Sequence, residues 1–382
     1  MRVLEPIHAA TLHPVALVRA RQLRSLTQLE LADAAGISRQ QVNNLERGVS
    51  GAPTAGTVHS LAQALRVPAL YLATEPGPVP PADSLHFRGK MRRPPKLVEE
   101  LQVRGEHFQR LTKRLERSAK PPEMLVPEHC GGDAEAIERA AEMCRVDWGL
   151  RTDNPILSVT RLLENMGVGV GLFRLDSDFV EAFSWWNGRP LVLCKRSGSA
   201  TRRRFSLAHE LGHLVMHRRV APGDRDIETE AHRFAAAFLM PAAAFSREFP
   251  RASRLDWDKL LEMKGRWGVS VAALLHRAHE LGILKPSSYR SAYVRISQLG
   301  WRKQEPNEPV AERPEMVRTI VGALRSRGTN EHSLAVDLGF DVELLEDTAG
   351  VDLREQLDPS SMAGRAAVID LIERLSAVRG PR

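Results

Sequence analysis

Phe205-Ser206-Leu207-Ala208-His209-Glu210-Leu211-Gly212-His213-Leu214-Val215-Met216-His217 is an apolar, helix-prone run broken by three histidines and one glutamate. Residues four apart on an α-helix share a face, with Cβ atoms about 5–6 Å apart, so His209 and His213 can grip one metal ion together. Glu210 follows the first histidine, where a carboxylate can act as general base. Two neutral imidazoles and an adjacent carboxylate are the groups that metal-assisted peptide hydrolysis needs.

A third protein ligand would leave a fourth position open for chemistry. Candidates lie in Ile227-Glu228-Thr229-Glu230-Ala231-His232-Arg233-Phe234-Ala235-Ala236-Ala237-Phe238-Leu239-Met240-Pro241, a helix that ends before Pro241. Ala231, Phe234, Ala235 and Phe238 form its apolar face, and Glu228 shares that face. Glu230 points about 160° away around the helix. Glu228 is therefore the expected ligand, with Glu230 as the alternative. His217 continues the four-residue series one turn further, as a helix-end histidine. His232, four residues after Glu228, either supports the ligands from behind or donates to a developing oxyanion. Zinc suits this ligand set, with Mn²⁺ or Fe²⁺ as alternatives.

Upstream, Asn154-Pro155-Ile156 opens a helix that Gly167 ends. Residues 168–175, 181–186 and 189–194 read as strands, the last two joined by the turn-forming pair Asn187-Gly188. The expectation is a small antiparallel sheet leading directly into the histidine helix, its edge offered to an extended substrate strand.

The N-terminal part has a different plan. Residues 15–26 form an amphipathic helix with Leu17, Val18, Leu23 and Leu26 as its apolar positions. Thr27 caps a second helix over 28–35, Gly36 makes a tight turn, and Ser38 caps a third over 39–47, whose Val42 and Leu45 face the second. A further helix covers 57–65. Helix, glycine turn and capped helix make the helix-turn-helix plan. Charge agrees with it: residues 1–120 carry 18 Lys and Arg against 10 Asp and Glu, whereas the remainder carries 36 against 37. The whole positive balance lies at one end, as a polyanion partner requires. Pro76, Pro78, Pro80 and Pro81 mark a linker, after which a helix over 97–118 carries Arg104, Arg110, Lys113, Arg114 and Arg117. Such a helix either tracks a phosphate backbone or is a solvated face.

The stretch from Leu26 to Ser38, with Leu45-Glu46-Arg47-Gly48, resembles the XRE/Cro-type repressor family over about residues 15–72. The resemblance implies that the helix beginning at Ser38 enters a major groove. Arg39, Gln40, Asn43 and Asn44 would then reach base edges, with Gln28 near a phosphate. Arg suits guanine, and Gln and Asn suit adenine. Residues 202–241 resemble the ImmA/IrrE family of metallopeptidases, a likeness extending over roughly 125–285. That resemblance implies a zinc-dependent endopeptidase of the zincin plan, with His209, His213 and Glu228 on the metal and Glu210 as base. It further implies cleavage of a DNA-binding repressor under stress. The competing reading is a non-catalytic regulator or antitoxin-like protein whose metal domain is a sensor.

With 382 residues, 43% apolar and 26% charged, the chain has material for two or three domains. The expected architecture is an α+β multidomain protein. It comprises a helix-turn-helix domain (1–75), a basic linker and helix (76–125), a metallopeptidase domain with its sheet (126–285) and a helical region (286–382). Within the last, Glu305-Pro306-Asn307-Glu308-Pro309 and Pro314 mark a loop, and helices are expected over 314–327, 333–338 and 364–378. Cys130, Cys144 and Cys194 are scattered, which suits a reducing compartment and offers no CxxC metal site. No secretory signal opens the sequence, and the longest apolar run, 235–245, is broken by Pro241 and falls short of the roughly 20 residues of a membrane span. The expected place is the cytoplasm, with double-stranded DNA and a repressor-type protein as partners, no membrane, and two copies of the chain wherever paired half-sites are bound.

Overall fold

The computed structural model describes residues 12–49, 51–80, 82, 86–87, 94–119, 121–175, 179–218, 225–250 and 255–353. Five helices, α1 (Pro14–Leu23), α2 (Gln28–Ala35), α3 (Arg39–Glu46), α4 (Ala55–Leu65) and α5 (Ala69–Ala73), make the N-terminal bundle. Two reciprocal caps set its turn. The Glu30 N–H donates to Thr27 Oγ1 (3.1 Å) while the Thr27 N–H donates to Glu30 Oε2 (2.6 Å), and Ser38 and Gln41 repeat the pattern. Gly36, at φ 66°, closes α2 between them. Leu17, Leu31, Val42, Leu61 and Leu65 fill the interior.

The chain then passes through β1 (His86–Phe87) into the long α6 (Pro95–Glu116). This helix is not a solvated face along its length. Twelve of its 22 residues are buried, because it is packed on more than one side. Three of its cations are committed within the protein: Arg104 donates to Glu100 and Asp347 (3.0 Å each), Arg114 to Asp337 (2.6 Å), and Arg110 lies 3.3 Å from Glu106, whereas Lys113 and Arg117 are exposed.

Next come α7 (Ala134–Asp147), α8 (Val159–Asn165), β2 (Gly169–Phe173), β3 (Ala182–Asn187) and β4 (Arg189–Lys195). Helix α8 begins at Val159 rather than at Pro155, because Ser158 caps it and the Glu312 carboxylate accepts from the Val159 and Thr160 N–H groups. The sheet runs β1-β3-β4-β2. The β3–β4 hairpin is antiparallel as expected, but β2 pairs with β4 in parallel, so the sheet is mixed and not antiparallel throughout. The tight turn at Asn187-Gly188 folds β4 into the place beside β2, and β4 points the same way.

The sheet is covered on both faces, and its strands alternate accordingly. Val170, Leu172, Ala182, Val192 and Cys194 join one apolar core with α9 (Ala200–Met216), α10 (Arg225–Leu239), α11 (Ala242–Glu248), α12 (Trp257–Trp267) and α13 (Val271–Glu280). Phe173, Phe183, Trp185, Leu191 and Leu193 join a second core, which unites the N-terminal bundle, α6 and the later helices.

After α14 (Pro286–Gln298), a strap leads to α15 (Met316–Ser326), α16 (Glu331–Asp337) and α17 (Val342–Ala349). The glutamates of the strap sit on helix N-termini, where N–H groups need acceptors. Glu305 accepts from the Val271 N–H (2.9 Å) at α13, Glu308 from the Thr201 N–H (2.8 Å) at α9, and Glu312 from the Thr160 N–H (2.7 Å) at α8. Lys264 bridges Glu305 and Glu308 at 3.0 and 2.8 Å, and Arg204 pairs with Glu312. The helix expected over 364–378 lies outside the described residues. Among those residues, no helix is long and apolar enough to cross a membrane.

Candidate metal centre

Helix α9 runs through the interior, with 15 of its 17 residues buried, so its polar side chains must find partners inside the protein. A glycine in mid-helix costs about 0.5–1 kcal/mol relative to alanine. At Gly212 that cost secures a close approach. A Cβ there would lie 3.1 Å from Phe234 and 3.2 Å from the Ala231 backbone, so the small residue lets α10 rest directly on α9.

The approach carries Glu228 to the two histidines. His209 Nε2 and His213 Nε2 are 3.2 Å apart, Glu228 Oε2 lies 3.4 Å from the first, and Glu228 Oε1 lies 3.5 Å from the second. Tetrahedral donors about 2.0–2.1 Å from a zinc ion would be roughly 3.3 Å apart. The donor set and its spacing therefore fit a divalent ion. Among the described residues, this trio forms the metal-competent cluster, with its ligand atoms all within 4.8 Å of one another. Glu230, the alternative ligand, lies elsewhere: its Oε2 is 3.0 Å from His217 Nε2.

Glu210 is wholly buried one position along α9. The Ser184 hydroxyl donates to its Oε2 at 2.7 Å. Ser184 faces α9 because it is two residues from Ala182, which belongs to the same face of β3. Sequence reading passed over it, although a lone serine in Ala182-Phe183-Ser184-Trp185 is a polar group in an apolar strand and so demands a buried partner. The outer edge of β3 at that point is not open to a substrate. His86 pairs with Ser184 and Phe87 with Phe183.

On the N-terminal bundle, Arg39 and Gln40 are exposed, while Gln28, Asn43 and Asn44 are half-buried. These side chains hold one another: Gln40 donates to Asn44 (2.9 Å), and Gln28 donates to Glu46 (2.8 Å). Ser38 is occupied with its cap. Its hydroxyl caps the helix, and the residue is exposed.

Two stretches of the chain match known families. Residues 163–279 match the model of a peptidase family described as IrrE N-terminal-like domain, and residues 17–72 match the helix-turn-helix family. The order of the two agrees with the resemblances read from the sequence. No curated protein matches this chain.

A cavity of about 960 Å³ opens beside the trio, with Phe205, His209, Glu228, His232, His276 and Glu280 among its walls. The rings of His232 and His209 are 6.5 Å apart, and those of His232 and His276 are 5.1 Å apart. Burial alone would raise the Glu280 carboxyl, but His276, 3.5 Å away, together with Arg277 and His232 outweighs it and holds that group below its ordinary value. His276 and Glu280 belong to α13, which the sequence reading left without a role. Their four-residue spacing on one helix face was the available signal.

Proposed function

We propose that this protein is a metal-dependent endopeptidase that binds operator DNA through its N-terminal bundle and cleaves a repressor-type regulatory protein in the cytoplasm, relieving repression under stress. The observation that carries the reading is the meeting of His209, His213 and Glu228 beside the buried carboxylate of Glu210. His209, His213 and Glu228 would hold the ion, and zinc is favoured by two imidazoles and one carboxylate. When bound, it would supply Lewis acidity to a water and to the scissile carbonyl.

The chain's own groups do the rest. Glu210 takes the proton as water attacks the peptide carbonyl, then delivers it to the departing amine. Ser184 fixes the orientation of that carboxylate through its hydroxyl. His232, on the cavity wall, is the donor assigned to the developing oxyanion. Three protein donors in place of four favour a catalytic centre over a structural or sensing one, which would close all positions. At the other end, Arg39 and Gln40 present guanine- and adenine-reading groups on α3.

Incubating the purified chain and zinc with repressor-type helix-turn-helix proteins, with and without a chelator, tests the proposal. Cleavage that stops with chelator and with Glu210→Gln is the expected result. Cleavage at an unchanged rate in either arm overturns it.

A further inference from the structure

Behind His213 lies a second pair of residues that the metal trio does not use. His213 Nδ1 is 3.0 Å from His217 Nδ1, and His217 Nε2 is 3.0 Å from Glu230 Oε2. His217 is 2% exposed. A histidine that offers Nε2 to a metal must carry its proton on Nδ1. His213 Nδ1 then donates to His217 Nδ1, which places the His217 proton on Nε2, where the Glu230 carboxylate accepts it. One tautomer of each ring satisfies both of these contacts. The pair also spans the two helices, since His217 ends α9 and Glu230 lies on α10.

The seat of Glu230 is shaped from a third direction. A Cβ on Gly131, in the segment before α7, would fall 1.9 Å from Glu230 Oε2 and 3.5 Å from His217 Nε2. The absence of a side chain at 131 is thus what admits the carboxylate.

We propose that His217 and Glu230 are positioning residues for the metal centre. They lock the His213 ring in its metal-facing orientation and, through the half-buried carboxylate of Glu230, raise its strength as a donor. The inference rests on the reading of His209, His213 and Glu228 as ligands, and it gives Glu230 a function distinct from that of Glu228. Partners of this kind are typically worth about 10–100-fold in metal affinity.

The test is titration of the metal-free full chain with Zn²⁺ against a chromophoric chelator, with the Co²⁺ absorption spectrum as a second readout. His217→Phe is expected to weaken Zn²⁺ binding by about 10–100-fold and to alter the Co²⁺ spectrum. His217→Gln, whose amide oxygen can still accept from His213, recovers most of that loss. Gly131→Ala, which touches no ligand, weakens binding in the same direction by displacing Glu230, and it keeps the inference testable should His217→Phe fail to fold. His213→Ala abolishes binding. If the 217 and 131 variants only lower the melting temperature of the metal-free chain and leave Zn²⁺ affinity within about twofold of the parent, the positioning role is wrong while the ligand set stands. If His213→Ala also binds as the parent does, the ligand assignment itself falls.

Discussion

The candidate metal centre and helix α3 are both polar clusters, but they are held in opposite ways. His209, Glu210, His213 and His217 are each at most 2% exposed, and neighbours fix each of them from the sheet, α9 and α10. Arg39 and Gln40 of α3 stand in solvent, and the polar residues nearby are tied mainly to one another. The first cluster is organised before any ligand arrives, as chemistry that depends on sub-ångström placement requires. The second leaves the ordering of its side chains to the surface it meets. Substitutions should therefore act on rate in one region and on affinity in the other, with little crossover.

The largest effect is expected from Glu210→Gln, which should cut peptide cleavage by about 10²–10⁴-fold while Zn²⁺ titration shows full occupancy. Retained cleavage would break the contrast at its strongest point. Ser184→Ala should follow, since removing a hydrogen bond to a charged group costs about 1.5–3 kcal/mol, or roughly 10–100-fold in kcat if the loss falls on the transition state. Steady-state kinetics checks it, and a change confined to KM would argue against an orienting role for the serine. Arg39→Ala should weaken operator binding by about 1–3 kcal/mol in a gel-shift titration and leave cleavage of a peptide substrate unchanged. A fall in cleavage would show that the two regions are coupled.

The smallest effect concerns the strap that follows α14. Burial alone would raise the Glu308 carboxyl, but hydrogen bonds from Lys264, Ser199 and Thr201 hold it at about 2, against an ordinary 4.5. A depressed folded-state value means stability that is present above about pH 4.5 and lost as pH falls toward 2. Glu308→Gln should therefore flatten the fall in melting temperature between pH 4.5 and 2. A parallel curve for both proteins would remove the strap from the account of acid stability.

How far these regions were legible in the sequence follows from the range of the interactions. Histidine spacing, caps and the Asn187-Gly188 turn are local, and they read directly. The face shared by Glu228 and Ala231 was also a single-helix property, and it separated Glu228 from Glu230 before either had a visible partner. Long-range features were opaque. Arg104 and Arg114 of α6 look solvated until Asp347 and Asp337 arrive from more than 200 residues away. Glu305, Glu308 and Glu312 read as part of a proline-rich loop, because nothing within the loop says which helix ends it will cap. The parallel placement of β2 depends on where β4 inserts, a matter of topology rather than of strand composition.

The pairing of His86 with Ser184 has a kinetic meaning as well. A foreign strand seeking the backbone groups along the edge of β3 meets a rival from the same molecule, so the competition is set by an intramolecular effective concentration. Dilution does not relieve such rivalry. Only a greater supply of the incoming strand shifts the balance.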